Sequence, residues 1–283
     1  MSKSPIIGFD HPVIAVRDME ESRRRYERMG FFVPPRGSHM EWGTGNWCIM
    51  FPHDYLELRG IVDPARYTHK LDEFLAEREG LMGVAFTGDR DNHEAVHYFV
   101  ERGLAPHPVR ELTRRFERPD GETHPSFRLL FFKEGETGPM MASLICQHLT
   151  PELIREPSFF DHPNKVTSIL SMTGVAEDLK ATAELLQKYF NDGSIELSEQ
   201  QLSISVGRGA ELIVVTPEEA VRQGLVIDTT APYLTAIAMQ TTSLQACEEA
   251  LKQGGIPYSR HSENRLRVSA EAACGVTLDF VAA

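Results

Sequence analysis

Cysteine is scarce in this sequence. Cys48, Cys146, Cys247 and Cys274 are four in 283 residues, far apart and without a CxxC pair. A disulfide framework therefore does not hold together a chain this long and core-rich, and the apolar periodicity around Cys48, Cys146 and Cys247 marks them as buried free thiols. Basic charge is short as well: 29 Lys and Arg stand against 41 Asp and Glu, a formal charge of −12. Nucleic-acid affinity rests on neutralising phosphates with clustered cations, so the balance argues against that partner, and against anionic membranes. No stretch approaches the ~20 apolar residues of a membrane span, and MSKSPIIGFDHP lacks the long apolar region of a signal peptide. The expectation is a cytoplasmic protein.

What is present is ordinary in composition and unusual in pattern. Hydrophobic residues make up 41% and charged residues 25%, as in soluble globular proteins, and a prior of ~150 residues per domain predicts about two domains. Residues 8–17 read as a strand rich in Val and Ile. Asp18 with Glu21 forms a capping box that opens a helix over 19–29, and Gly30 closes it. A strand beginning at Phe31 and two more within 39–58 complete a β-α-β-β-β unit, and a helical connector follows over 62–79.

The unit recurs three times. Strand 81–87, the Asp91/Glu94 capping box, Gly103, and strands at 107–116, 127–133 and 141–148 form the second; Asp120-Gly121 marks a hairpin turn in it. The third runs from strand 166–174 through a helix near 177–190 to strands at 194–198, 201–206 and 210–216. The fourth has strand 233–240, a capping box at Thr242/Gln245, a helix striped by Leu244, Cys247 and Leu251, and strands at 256–260, 264–268 and 276–281. A repeated supersecondary unit fixes architecture more firmly than any single motif. The fold class is therefore α+β: four βαβββ modules paired into two cupped, half-barrel mixed sheets, with helices on the outer face. Residues 1–148 hold modules 1 and 2, the proline-bearing 149–165 is a linker, and 166–283 hold modules 3 and 4.

Chemistry concentrates in 39–58, HMEWGTGNWCIMFPHDYLEL. Glu57 stands between Leu56 and Leu58 on a short strand. Alternation allows it to face solvent while the leucines fill the core; a curved sheet instead points it into a pocket. His39, Trp42, Thr44 and Asn46 either line the rim of that pocket or form a tight Gly-Thr-Gly turn with local backbone bonds.

GFDHPVIAV–helix–MGFFV, H-x-x-WGTGN-x-x-x-x-F and YLEL, with CQHLTPEL and HPN further on, resemble the glyoxalase-like branch of the vicinal oxygen chelate superfamily. The resemblance is specific over 8–165 and weaker over 166–283. It implies paired modules cupped around a divalent metal that binds two adjacent oxygens of a substrate, with ligands from the first and last strands of each module. Carried onto this chain, those positions are His11 and Glu57, 46 residues apart, a donor pair suited to Zn, Ni, Mn or Fe. In module 2 the pattern lapses: Met82 and Gly83 stand on the first strand, and Gln147 stands on the last as a weaker oxygen ligand. His148 should point the other way unless a bulge turns it. Modules 3 and 4 carry no ligand set around Thr167, Ser168 and Val214, so the second half reads as a structural or dimer-forming copy.

Of the strand arginines Arg110, Arg114, Arg115 and Arg128, Arg115 and Arg128 are best placed to face the cup and clamp a substrate anion; the alternative is a solvated face. His124 belongs to a surface turn, and His162 either approaches the pocket or caps the next strand. The expected function is a metal-dependent lyase or isomerase acting on a small oxygenated metabolite. His11 and Glu57 hold the metal with Gln147 assisting, and Glu57 doubles as general base. A metal-free binding protein built on Trp42, Trp47 and the arginines is the main rival. An extradiol-type dioxygenase is a sibling that needs His148 turned inward. Exposed sheet edges fit a homodimer.

Overall fold

The computed structural model describes residues 3–118, 121–191, 193–225 and 229–283; Asp120 of the expected hairpin lies outside these. Module 1 comprises β1 (Ile6–Ala15), α1 (Met19–Arg28), β2 (Gly37–His39), β3 (Thr44–Met50) and β4 (Tyr55–Ile61). The Asp18 side chain accepts from Glu21 N, as a capping box requires. Pro34 and Pro35 keep the chain after α1 out of any ladder, so the second strand begins only at Gly37. The connector is helical only over α2 (Leu71–Glu77).

Module 2 follows as β5 (Gly80–Gly88), α3 (Asn92–Glu101), β6 (Arg110–Arg118), β7 (Gly121–Thr123), β8 (Ser126–Phe131) and β9 (Ala142–His148). Module 3 has β10 (Val166–Val175), α4 (Leu179–Leu186), β11 (Ile195–Leu197), β12 (Gln201–Gly207) and β13 (Ala210–Val215), and α5 (Pro217–Gln223) leads out of it. Module 4 has β14 (Tyr233–Thr241), α6 (Leu244–Gln253), β15 (Ser259–Ser262), β16 (Arg265–Val268) and β17 (Thr277–Ala282). The cap of α6 sits one residue later than expected: Ser243 accepts from Ala246 N. Sequence reasoning passed over α5, although Thr216 caps it, Pro217 opens it and Gly224 ends it in the left-handed region.

Modules 1 and 2 form a nine-stranded mixed sheet in the order β2-β3-β4-β1-β5-β9-β8-β6-β7, and modules 3 and 4 an eight-stranded one in the order β11-β12-β13-β10-β14-β17-β16-β15. Each is the expected cupped pair of βαβββ units. The first goes further: β2 also pairs with β6 (Gly37 with Phe116, His39 with Arg114), which closes the sheet into a barrel.

Alternate residues of the first barrel face opposite ways. Leu56 and Leu58, fully buried, turn outward into the apolar layer beneath the helices and contribute roughly 1.5–3 kcal/mol each. That layer is continuous with the second sheet, taking in Tyr26, Tyr98, Leu186 and Leu251 from four helices. Ends of α1 and α6 approach so closely that a Cβ on Gly254 would fall 1.9 Å from the carbonyl oxygen of Arg28. Segment 149–165 is pinned rather than loose. His162 Nδ1 accepts from Phe32 N at 3.0 Å, with its Nε2 at 2.9 Å from the carbonyl of Met50, and Asn164 donates to the carbonyl of Met29. His162 is thus an anchor between the halves.

Candidate functional site

Inward-facing residues of the first barrel line a small pocket of about 30 Å³. Its phase is set strand by strand. On β4 the inward positions are Tyr55, Glu57 and Arg59; β3 supplies Asn46, β6 Leu112 and Arg114, β8 Phe127, Leu129 and Phe131, and β9 Leu144 and Cys146. Cys48 pairs with Glu57 and Asn46 with Arg59 across β3 and β4, so these four side chains rise from one face. The wall is apolar on the module 2 side apart from Arg114, and charged on the module 1 side.

Glu57 is the electrostatic centre. It is 2% exposed. Its Oε1 accepts from Asn46 Nδ2 at 2.6 Å, and its Oε2 lies 2.8 Å from Arg59 Nη2 and 3.5 Å from His11 Nε2. Burial alone would raise its pKa, but Arg59, His11, His39 and the Asn46 bond together bring it down to about 2. Glu57 is therefore ionised at neutral pH.

His11 is held from behind. A register shift on β1 between Phe9 and His11 breaks the strict alternation there. Asp10 and His11 consequently both turn to buried polar partners: His11 Nδ1 donates to Asp10 Oδ1 at 3.0 Å, which aims Nε2 into the pocket. The Tyr55 ring stacks on His11 with centroids 4.4 Å apart. Asp10 is gripped again by His148 Nε2 at 2.8 Å. Burial would push the Asp10 carboxyl up, but His148 and His11 hold it far below the ordinary carboxylate range. An ionised Asp10 accepts only, so both imidazole nitrogens facing it are donors.

His39 Nδ1 is 2.8 Å from Thr44 Oγ1, and its Nε2 is 3.9 Å from Glu57 Oε1. Burial, then the Arg59 charge, lowers its pKa to about 3, so the ring is neutral. Trp42 stacks on His69 at 4.6 Å and leans on His39 and Phe131, walling one end of the pocket. Thus His11, Glu57, His39, Trp42 and Asn46 line one cavity, Thr44 orients His39, and His148 reaches it through Asp10.

Three expected residues are elsewhere. Gln147 turns outward, accepting from Asn92 N at 3.0 Å at the start of α3. Leu144, Cys146 and His148 share the inward phase of β9, so Gln147 between them must face away. Arg128 also sits outside, ion-paired with Asp91 and Glu111. Arg115 pairs with Glu117 at 2.8 Å and borders an adjoining outer basin with Arg36, Ser38 and Arg66, which meets the barrel pocket at His39 and Trp42. The inward arginines are Arg59 and Arg114, which sequence reasoning missed or set aside. Their signal was readable: Leu112 and Phe116 bracket Arg114 at period two, and Arg59 follows Glu57 at the same spacing. Asp10 and Cys146 were missed too, the first because only a β-bulge brings it to the site.

On β5 the residue opposite His11 is Ala85, not Met82 or Gly83, and it offers no ligand atom. Donors for a cation are nonetheless present. His11 Nε2 and Glu57 Oε2 are separated by about what two ligands of one small ion require, and Glu57 Oε2 makes no hydrogen bond. Asp10, His11 and Cys146 each offer one ligand atom within 4.8 Å of the others. The pair His11 and Glu57 fits a divalent ion, with Arg59 as its competitor for Glu57 Oε2.

A glyoxalase-like domain family matches residues 9–190, spanning modules 1 and 2, the linker and the start of module 3. A comparison with curated protein sequences finds no match. Among solved structures, a hypothetical protein from Staphylococcus aureus superimposes with a TM-score of 0.70 at 11% identity, covering 97% of this chain and 99% of that one. A mutant of 4-hydroxymandelate synthase from Streptomyces coelicolor gives 0.61 at 12% identity, covering 98% and 93%. A variant of homoprotocatechuate 2,3-dioxygenase from B. fuscum gives 0.57 at 13%, covering 99% and 72%. At such identities the likeness is one of fold, and it extends over both halves of the chain.

Proposed function

Since the chain belongs to the glyoxalase-like domain family, within the vicinal oxygen chelate superfamily, we propose that it is a lyase or isomerase that moves a proton next to a carbonyl of a small oxygenated metabolite. The observation that carries this reading is the convergence of His11 Nε2 and Glu57 Oε2 to 3.5 Å inside a closed barrel, with Asp10 fixing the imidazole. His11 and Glu57 are the residues that would hold a divalent metal (Zn, Ni, Mn or Fe), without the Gln147 of the expected set. When bound, such an ion polarises adjacent oxygens of a substrate as a Lewis acid.

The chain's own groups do the rest. Asp10 and His148 hold His11 in one tautomer, the arrangement that keeps a ligating imidazole oriented and basic. Glu57 is shared between holding the cation and receiving the proton. With Arg59 against it, Glu57 is a weak base; a substrate oxygen that takes over Arg59 returns the carboxylate toward its ordinary pKa and strengthens it. Apolar walls from Leu112, Phe127 and Leu129 exclude water from that exchange.

A second reading, a metal-free binding protein, is favoured by one contact: Arg59 already neutralises Glu57 at 2.8 Å. The dioxygenase reading is weaker, since the second histidine it needs, His148, spends Nε2 on Asp10. The test is exchange in deuterium oxide. Metal-dependent wash-in of deuterium next to a carbonyl, across a panel of small 2-oxo compounds and lost in Glu57→Gln, supports the enzyme; no exchange with any added metal refutes it.

A further inference from the structure

Deepening that reading, and resting on it only for the location of the site, we infer that the pocket takes a small monocarboxylate with an apolar body, its carboxylate seated on Arg114. Arg114 is 3% exposed. Its guanidinium touches the Cys48 sulfur at 2.9 Å and Asn46 Oδ1 at 3.4 Å, and it lies 5.5 and 5.7 Å from the Phe116 and Phe127 ring centres. The groups it touches are neutral, and Glu57 acts on it only from beyond Asn46. Among the described residues its hydrogen-bond partners are Asn46 and Cys48 and no carboxylate is ion-paired with it, and its Nε has no hydrogen-bond partner.

An arginine cannot shed its charge, and a buried cation without a counter-ion is unfavourable unless something else supplies the anion. The other buried guanidinium of the pocket, Arg59, has Glu57 for that purpose. Arg114 has nothing equivalent, yet the barrel is built around it. A Cβ on Gly37 would fall 2.6 Å from Arg114 Cδ and 2.8 Å from Nε, so glycine there leaves room for the fork.

The rest of the wall narrows the ligand. Leu112, Phe127, Leu129 and Phe131 flank the guanidinium with apolar surface, which suits an aromatic or branched aliphatic body. Glu57 and Asp10 already place two carboxylates in the same barrel, which disfavours a second negative charge on the ligand. One carboxylate against one planar fork is the match, with two parallel N–H···O bonds. A phosphate monoester, doubly charged, is the wrong fit.

Calorimetric titration tests this with phenylacetate, its neutral isostere phenylacetamide, and phenyl phosphate. Each is titrated into the full chain, chelator-treated and again metal-loaded. Phenylacetate should bind, and phenylacetamide about tenfold or more weaker, the usual worth of a charge-assisted bond. Arg114→Met should abolish that discrimination, and Arg114→Lys, which keeps the charge and loses the fork, should retain part of it. Equal binding of acid and amide, undiminished phenylacetate binding by Arg114→Met, preference for phenyl phosphate, or no binding would each overturn the inference. Arg114-dependent binding in chelator-treated protein upholds it even if the metal reading fails. Binding seen only with metal and indifferent to Arg114 upholds the metal and sinks the clamp.

Discussion

Glu57→Gln is the substitution whose consequences the structure fixes most closely. It keeps the shape of the side chain and an oxygen for Asn46, and removes only the charge facing Arg59. The ion pair spans 2.8 Å with side-chain exposures of 2% and 10%. At an effective dielectric of ~20 its gross attraction is about 6 kcal/mol. Desolvation offsets part of that, and leaving the partner buried and unpaired is expected to cost about 3–5 kcal/mol. Urea unfolding at pH 7 measures it, with Arg59→Met and the double mutant completing a cycle. The double mutant should be less destabilised than the sum of the single changes. Acid adds a second readout. The folded pKa of Glu57, about 2, lies below the unfolded value of 4.5, so its contribution is present above pH ~4.5 and is lost as pH falls toward 2. Glu57→Gln should lack that part of the acid limb. A loss under about 1 kcal/mol with an unchanged acid limb would be surface-pair behaviour and would refute a dry, closed pocket.

Other substitutions probe the frame around the site. Burial pushes the Asp54 carboxyl up to about 7, although Ile169 N donates to it at 3.2 Å. Its raised folded pKa means stability fully present below pH ~3.8 and lost as pH rises through ~7. Asp54→Asn should therefore match the parent near pH 4 and exceed it above pH 7, by up to about 4 kcal/mol; no gain in melting temperature at pH 8 contradicts this. Gly37→Ala places a Cβ 2.3 Å from Asn46 Oδ1, and the forced shift should destabilise by about 1–3 kcal/mol; a variant with parental stability would mean that the barrel wall yields freely. Arg128→Ala removes a residue of the outer face, so ligand affinity should stay within about twofold, as double-sided strand geometry requires. A tenfold loss would show that the inward and outward phases are reversed.

The architecture was legible because the signals were redundant. Asp18, Gly30 and Gly103 marked helix ends locally, and the same order of elements recurred four times, so one misplaced strand start at Phe31 changed nothing. Closure of the first sheet was not legible. It depends on β2, three residues long, finding β6 from the other module, and no local pattern encodes such a pairing.

Within the site, His11 and Glu57 stood out through residue type and motif, and they do meet in one pocket. Phase decided the failures. A single-residue choice of which face looks inward moved Arg115, Arg128 and Gln147 into the cup and left Arg114 and Cys146 out of it. Leu112 and Phe116 beside Arg114 contained the answer. Asp10 is different in kind: ordinary alternation sends it away from His11, and only the bulge after Phe9 brings the two together.

Metal content decides the central claim most directly. Protein purified without an affinity tag or chelator, and the same protein after incubation with Zn, Ni, Mn or Fe(II), should hold close to one equivalent of divalent metal. His11→Ala/Glu57→Ala should hold none while remaining folded. Absence of metal from the parent under every loading condition, or equal metal in the double mutant, would contradict the assignment of His11 and Glu57 as a chelating pair.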